Sequence, residues 1–215
     1  MTPKLSLFFS TIALMTAALA SAHHMWLEIE PGKMQGQIFI ADDPAKERVP
    51  MKVKPGKQTT MQRWNVGELS ASKDGKSLLA EILKPAAAAQ LTYGIHGPDL
   101  ITWYAKGCAT VTDAEKPLGL DYEFTAKRVG TNLVFRLVAK KKPVANCRVE
   151  VFGDGIPFDK FWKTDAKGNL TVSFPKGGRI YVAAEIKVDS IGKHKDQDYK
   201  GRLEMPCLTF LVPRH

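Results

Sequence analysis

The sequence contains few of the residues that most often carry chemistry. It has three cysteines and five histidines among 215 residues. No C-x-x-C spacing occurs, which disfavours a thiol oxidoreductase and a zinc ribbon. The nucleophile elbow, the H-E-x-x-H motif, the phosphate-binding loop and the dinucleotide fingerprint are also absent. The sequence therefore gives no sign of these common catalytic sites.

Only the N-terminus carries a long apolar run. A short basic start precedes Leu5–Leu19, and Ala20-Ser21-Ala22 supplies the small residues that signal peptidase requires. The pattern predicts an export signal over residues 1–22, with cleavage after Ala20 as an alternative. No later stretch reaches the roughly 18 apolar residues of a membrane span. We expect a soluble mature protein, located in the periplasm or secreted.

The chain is basic, with a formal net charge of +9, but its lysines are dispersed. Because no ladder of alternating aromatic and basic residues occurs, a nucleic-acid partner is not expected. Attraction to an anionic envelope or polymer surface agrees with this charge.

Short segments rich in β-branched and aromatic residues recur, separated by Gly, Pro and Asp/Lys turns. This pattern is typical of all-β proteins. Removing residues 1–22 from the 215 leaves 193, enough for two domains of about 100 residues each. We predict two β-sandwich domains in series, 23–116 and 117–215, with a linker over Asp113–Leu118.

Eleven segments are predicted to be strands, and a hairpin turn is predicted at Lys73-Asp74-Gly75-Lys76. Ser77–Lys84 is either a strand or a short helix extending into Pro85–Gln90, and Asp189–Arg202 is a polar excursion. The predicted strands are Met25–Glu30, Gln37–Ala41, Thr59–Trp64, Leu91–Ile95, Leu100–Ala105, Asp121–Lys127, Asn132–Ala139, Cys147–Phe152, Leu170–Phe174, Arg179–Val188 and Leu203–Val212.

Three cysteines follow the export signal. In an oxidising compartment one pair can form a disulfide, which leaves one thiol over. Cys147 and Cys207 both lie in predicted strands of the second half. We therefore predict that these two pair and that Cys108 is the odd thiol.

The predicted mature N-terminus can bind a metal ion. Cleavage after Ala22 exposes His23, whose α-amine and imidazole can chelate one ion, and His24 follows it. The alternative cleavage exposes Ser21-Ala22-His23, whose nitrogens can wrap Cu(II) or Ni(II) in a square plane. An ordinary N-terminal residue beginning a strand is the alternative interpretation.

A histidine brace at His23 requires a second imidazole from elsewhere in the fold. His96 is the first choice, because a Gly/Pro turn can present it in solvent and Asp99 could orient its other nitrogen. His194, in a polar loop, is the second choice. Such a nitrogen and oxygen site binds Cu(II) most tightly and Ni(II) next. Each of these histidines could also be a solvated residue.

The second half resembles the transthyretin-like, carboxypeptidase-regulatory-type sandwich. The matching features are Lys142–Asn146 before a strand, the turn at Asp165 and Gly168, and the strand opening Gly178–Val182. Asp165 can cap such a turn and Gly168 can supply its positive φ. This resemblance implies a fold and not a function.

The whole mature chain resembles an exported family labelled NikM-like, or nickel-uptake-related. The matching pattern is Ala22-His23, Trp26-Leu27-Glu28, Tyr93-Gly94, Tyr104-Ala105-Lys106 and the turn Thr164–Gly168. The resemblance implies a periplasmic role connected with metal supply.

Three hypotheses of function follow. The first is a periplasmic accessory protein that holds Ni(II), Co(II) or Cu(II) through His23 and His96 and passes the ion to a membrane transporter or an oxidase. The second is a non-catalytic envelope interaction or adhesion module, in which two sandwiches present loops to a partner or a cell-wall polymer without metal. The third is a copper-dependent oxidative enzyme that uses the same brace.

Overall fold

The computed structural model describes residues 23–49, 61–156, 160–174 and 176–214, so the predicted export signal lies outside the described residues. Among them the only helix is Val111–Ala114 (α1), which begins with a capping box between Thr110 and Asp113. The strands are His24–Ile29 (β1), Gln35–Ala41 (β2), Met61–Trp64 (β3), Val66–Ala71 (β4), Ser77–Ile82 (β5), Ala86–His96 (β6), Asp99–Cys108 (β7), Tyr122–Val129 (β8), Asn132–Ala139 (β9), Lys142–Pro143 (β10), Arg148–Gly153 (β11), Phe161–Lys163 (β12), Asn169–Ser173 (β13), Gly178–Ala184 (β14), Ile186–His194 (β15) and Gln197–Val212 (β16).

The described strands form three sheets. One four-stranded sheet has the order β1-β2-β5-β4, and a second contains β8, β9, β10 and β13. The third sheet has eight strands, in the order β12-β11-β14-β16-β7-β6-β3, with β15 also paired to β16. The fold is therefore all-β, as predicted.

The last strand, β16, joins the two halves of the large sheet. Residues 201–209 pair in parallel with residues 99–107 of β7. On its other edge β16 pairs antiparallel with β15 and then with β14. Both halves therefore contribute strands to one sheet, and the division at residues 116 and 117 stays a prediction.

Each small sheet covers one part of the large sheet and encloses a core between the layers. The first core contains Leu27 and Ile38 from the small sheet and Trp103 from β7. The second contains Phe135 from β9 and Phe210 from β16. This layering of two sheets around interdigitating side chains is that of a β-sandwich.

A third cluster lies where β1 and β2 contact the second half. Trp26 is fully buried there, beside Tyr181 and Cys207. Its indole Nε1 donates a hydrogen bond to the carbonyl of Ala41 at 3.0 Å. The Tyr181 hydroxyl donates to Glu28 Oε1 at 2.6 Å. The Trp26-Leu27-Glu28 motif therefore holds β1 against the second half.

A buried ion pair links β7 to β8. Lys106 Nζ donates to Glu123 Oε1 at 2.8 Å, and both side chains are 1% exposed. Lys106 also donates to the carbonyls of Lys116 and Phe124, at 2.7 and 3.1 Å. The Glu123 carboxylate accepts from the backbone nitrogens of the connecting loop, those of Leu118, Gly119 and Leu120. The pair therefore fixes the path of the chain between the two cores.

Most predicted strands are confirmed, and β9 has the predicted bounds. Ser77–Ile82 is a strand, and the alternative of a helix extending into Pro85–Gln90 is wrong. Ala87, Ala88 and Ala89 are fully buried within β6, between β3 and β7. Sheet pairing overrides the helix propensity of alanine at these positions.

One prediction of irregular structure is wrong. The polar excursion Asp189–Arg202 forms most of a hairpin between β15 and β16. Its turn is Lys195-Asp196, where both residues have positive φ, 47° and 66°. Most side chains of this hairpin are polar, so it gives little hydrophobic alternation and the sequence signal was weak. The predicted linker Asp113–Leu118 overlaps α1 at its first two residues and has no helix or strand over residues 115–118.

The predicted disulfide between Cys147 and Cys207 is wrong, since all three cysteines are free thiols. Cys147 packs against the second core, whereas Cys207 lies in the cluster around Trp26. Cys207 pairs with Ala183, and Ala183 pairs with Glu150, so the three side chains lie on one face of the large sheet. Cys147 is three residues before Glu150, so the alternation of side chains places it on the opposite face. A disulfide cannot cross the sheet between these positions.

We predict that Lys106→Met destabilises the protein by about 3–5 kcal/mol, because it leaves the Glu123 carboxylate buried without its cation. The double variant Lys106→Met with Glu123→Leu should recover part of this loss, since an apolar pair avoids the uncompensated charge. Urea denaturation of the three proteins measures both effects. Equal unfolding midpoints for wild type and Lys106→Met would contradict a structural role for the pair.

Candidate functional site

The two N-terminal histidines lie in different surroundings. His23 is exposed, and its Nδ1 lies 2.9 Å from Asp42 Oδ1. His24 begins β1 and is 4% exposed. Its Nε2 lies 3.7 Å from Glu150 Oε2, and its Nδ1 is buried without a hydrogen-bond partner among the described residues. The pairing of β1 with β2 and its packing on the large sheet create this burial.

Two carboxyl groups face His24 from the second half. The polar contact with His24 lowers the pKa of Glu150, which also lies 3.7 Å from Arg148 Nη2. Burial raises the pKa of Glu185, which follows β14. Burial also raises the pKa of the Cys207 thiol well above its ordinary value. The cluster therefore combines a carboxyl group of lowered pKa and an exposed carboxyl group of raised pKa near a buried imidazole.

His96 does not lie beside the N-terminal histidines. It is exposed at the end of β6, opposite Asp99, and Asp99 aligns with Gly201 of β16. His24 faces Glu150, and Glu150 lies in the same row of paired residues as Ala183 and Cys207 of β16. Six residues of β16 separate the two positions, about 20 Å at the rise of a strand. Asp99 forms an ion pair with Lys187, whose Nζ lies 3.2 Å from Asp99 Oδ2. The Asp99 carboxylate is therefore paired with a lysine.

His194 lies at the end of β15, opposite Gln197, next to the hairpin turn. It is half-buried, and its Nε2 has no hydrogen-bond partner in the described part of the chain. It is three strands away from His96 across β16 and β7, about 14 Å at ordinary strand spacing. The two candidate second imidazoles therefore do not face each other.

Within residues 23–49, 61–156, 160–174 and 176–214, no three His, Cys, Asp or Glu side chains are grouped to hold a metal ion. The metal ligands predicted from sequence, His23, His24, His96 and His194, are dispersed over three regions of the fold. They remain predictions as metal ligands.

The Tyr104-Ala105-Lys106 motif has a structural role. Tyr104 and Lys106 are two residues apart on β7, so their side chains share a face. The Tyr104 hydroxyl donates to Glu204 Oε2 at 2.8 Å, and burial raises the pKa of Tyr104. Arg202 Nη2 lies 2.7 Å from Glu204 Oε1. Tyr104 thus ties β7 to β16 while Lys106 ties β7 to β8.

An open groove of about 520 Å³ crosses the outer face of the β1-β2-β5-β4 sheet. Glu68 and Glu81 contribute carboxylates to its lining. Met34 and Leu79 line it as exposed apolar side chains. The groove is a mixed surface that lies apart from the histidines.

A second surface was missed by the sequence analysis. Seven exposed cations lie between the β9–β10 turn and the turn that follows β12, and we call them the basic rim. Lys140, Lys141 and Lys142 lie in the β9–β10 turn and on β10, Arg148 begins β11, Lys160 precedes β12, Lys163 ends it and Lys167 lies in the next turn. The backbone nitrogen of Asn146 donates to the Thr164 carbonyl at 2.9 Å, so the connections before β11 and after β12 run side by side. The sequence signal was the run of three lysines Lys140, Lys141 and Lys142, which was counted only among the dispersed lysines.

Aromatic rings lie within the basic rim. The Arg148 guanidinium carbon is 3.3 Å from the centroid of the Phe161 ring, and Lys160 Nζ is 5.2 Å from that of Trp162. Phe161 remains 45% exposed. These cation–π contacts hold the rings of β12 at the edge of the large sheet.

Comparison with known proteins gives distant structural matches alone. No protein-family model matches the chain, and no curated protein sequence matches it. The D0-D1 domain of intimin is 15% identical, over 88% of this chain and 97% of that one, with a TM-score of 0.23. The D00-D0 domain of intimin is 12% identical, over 84% and 96% of the two chains, also with a TM-score of 0.23. These values are too low to carry an argument about function.

The described residues contain no helix of the length and apolar character needed to cross a lipid bilayer.

We predict that Glu185→Gln stabilises the protein at pH 7. Folding raises the pKa of this carboxyl group above its ordinary value of 4.5. The folded protein therefore becomes less stable as the pH rises above 4.5 and the group ionises. Glutamine removes that charge and keeps the shape. Below about pH 4 the carboxyl group is protonated in both states, so the difference should vanish. Thermal unfolding of both proteins across this range measures it, and a difference that persists at pH 3 would contradict burial as its cause.

Proposed function

We propose that this protein is a non-catalytic interaction module of the cell envelope, exported by its N-terminal signal. Its two sandwiches form a scaffold that presents surface loops and edge strands to a partner. Neither a bound metal nor a chemical step is needed for this role.

The way in which the buried polar groups are used supports this proposal. The polar side chains of the sequence motifs are engaged within the fold: Glu28 with Tyr181, Tyr104 with Glu204, and Lys106 with Glu123. Each contact joins strands of different sheets or distant parts of the chain. These residues therefore maintain the scaffold, and the exposed cationic and aromatic side chains remain for recognition.

The test is retention of the purified mature protein on a cell-envelope fraction of its source organism. We expect retention that persists in excess EDTA, because a metal ion has no part in the proposed contact, and that declines with added salt. A basic protein of similar size and net charge controls for simple attraction. No retention above this control, or retention abolished by EDTA, would contradict the proposal.

A second candidate is metal binding at the mature N-terminus, in agreement with the resemblance to the NikM-like family. The specific observation is the Nδ1 of His24, adjacent in sequence to His23, which is buried and has no hydrogen-bond partner within the part of the chain that the structure describes. An imidazole nitrogen of this kind is a good ligand for Cu(II) and Ni(II). The ligands would come from the N-terminus itself, because His96 lies on another part of the sheet.

Native mass spectrometry of the mature protein with Cu(II) or Ni(II) tests this candidate. If it is correct, the wild type retains one ion, His23→Ala loses most of it, and His96→Ala behaves as the wild type. The mass of the metal-free protein verifies that cleavage occurs after Ala22. Equal retention by the wild type and His23→Ala would contradict the candidate.

A further inference from the structure

We infer that the basic rim is a binding surface for an anionic glycan, a polysaccharide that carries phosphate or carboxylate groups. This inference rests on the proposed function, since it names the partner that the interaction module holds. It is carried by the backbone conformation of the rim, its charge and its exposed rings.

The first observation is the turn between β9 and β10. Lys140 and Lys141 both have positive φ, 48° and 69°, in a two-residue hairpin loop. Such loops favour Asn-Gly, because positive φ is unfavourable for residues with long side chains. Lysine at both positions sacrifices turn stability and projects two cations from the end of the second sandwich. A local conformation held at a cost is a pointer to function.

The second observation is the excess of positive charge. Of the seven cations in the basic rim, Arg148 alone forms an ion pair among the described residues. Asp165, the acidic residue closest in sequence to Lys167, accepts backbone hydrogen bonds at 2.8 Å from Lys167 and Asn169. Asp165 and Glu150, which pairs with Arg148, thus set two negative charges against the seven cations. The rim presents a field that attracts an anionic partner.

The third observation is the arrangement of the rings among these cations. Phe161 offers an exposed face, and Arg148 packs over it. Aromatic rings stack on the apolar faces of sugars, while separate cations can meet charges that repeat along a polymer. The cations extend from the β9–β10 turn, past Arg148 at the start of β11, to both ends of β12. This extended form fits a chain of repeating units better than one small anion.

The experiment uses a charge-removing variant that should also improve folding. Lys140→Asn with Lys141→Gly removes two cations and installs the preferred sequence for the turn. Lost binding then cannot be ascribed to unfolding, which thermal unfolding verifies. The matched control is Lys193→Asn with Lys195→Asn, which removes two charges at the β15–β16 hairpin. Lys195 also has positive φ, so the control changes a comparable turn residue. It lies far from the basic rim: Ile186, at the other end of β15, packs in the same cluster as Ala139 beside the β9–β10 turn, and nine residues of strand, about 30 Å, separate Lys195 from Ile186.

Binding is measured on immobilised polygalacturonate, phosphomannan and neutral dextran. We expect wild type to bind at least one anionic polymer and not dextran, with the two anionic arms distinguishing carboxylate from phosphate. The Lys140→Asn/Lys141→Gly variant should bind roughly five- to tenfold more weakly, because each exposed ion pair contributes modestly. The control should keep wild-type affinity. Phe161→Ala should also weaken binding, since it removes the stacking ring.

Several outcomes would overturn the inference. They are binding to dextran as strong as to the anionic polymers, no binding to either anionic polymer, equal weakening by the control, or tighter binding to phosphatidylglycerol vesicles than to either polymer. Retention of the Lys140→Asn/Lys141→Gly variant on the envelope fraction at the wild-type level would reject the basic rim as the binding surface and leave the proposed function standing. Absence of wild-type retention on that fraction would reject the proposed function itself.

Discussion

The parallel pairing of β7 with β16 is the contact on which the rest of the structure depends. It aligns residues 99–107 with residues 201–209 and makes one sheet out of strands from both halves of the chain. Parallel neighbours need a crossover connection between them, and here that connection contains α1 and β8 to β15, which are the rest of the second sandwich. Without this pairing, the sheet would divide and expose an edge of β7 and an edge of β16.

Buried polar contacts then fix how the layers lie on this sheet. Lys106 and Tyr104 project from the same face of β7 and reach Glu123 and Glu204, on β8 and β16. A buried ion pair contributes little net stability compared with an apolar pair, but an incorrect arrangement would leave its charges uncompensated. These contacts therefore favour one arrangement of β7, β8 and β16 over competing ones. The ionisable groups of the sequence motifs are structural for this reason.

The all-β class and most strands could be predicted, because the recurring β-branched segments and Gly/Pro/Asp turns are local signals. The turn at Asp165 and Gly168 was predictable for the same reason: Asp165 accepts backbone hydrogen bonds and Gly168 has a φ of 75°. The shared sheet was not predictable, since strand pairing across about 100 residues has no local signature. The failed cysteine pair shows the same limit, because the two faces of a sheet can be assigned only when register is known.

The candidate site was harder to predict than the fold. The sequence predicted a metal site built from histidines. The structure places His24 in a buried polar cluster and His96 on a distant hairpin. The basic rim was visible only as dispersed lysines. Its cations become neighbours because the connections around Asn146 and Thr164 run side by side, and that hydrogen bond depends on the tertiary fold.

The separation of about 100 residues between β7 and β16 also determines when the fold can be completed. Long-range pairing slows folding, because a large loop must close before the contact forms. A chain delivered N-terminus first, from a ribosome or through a membrane channel, would have β7 present while its partner edge is still missing. An open strand edge invites pairing with other chains. The interval between delivery of β7 and delivery of β16 is therefore the period when this protein is most exposed to aggregation, and faster delivery of the last 100 residues would shorten it.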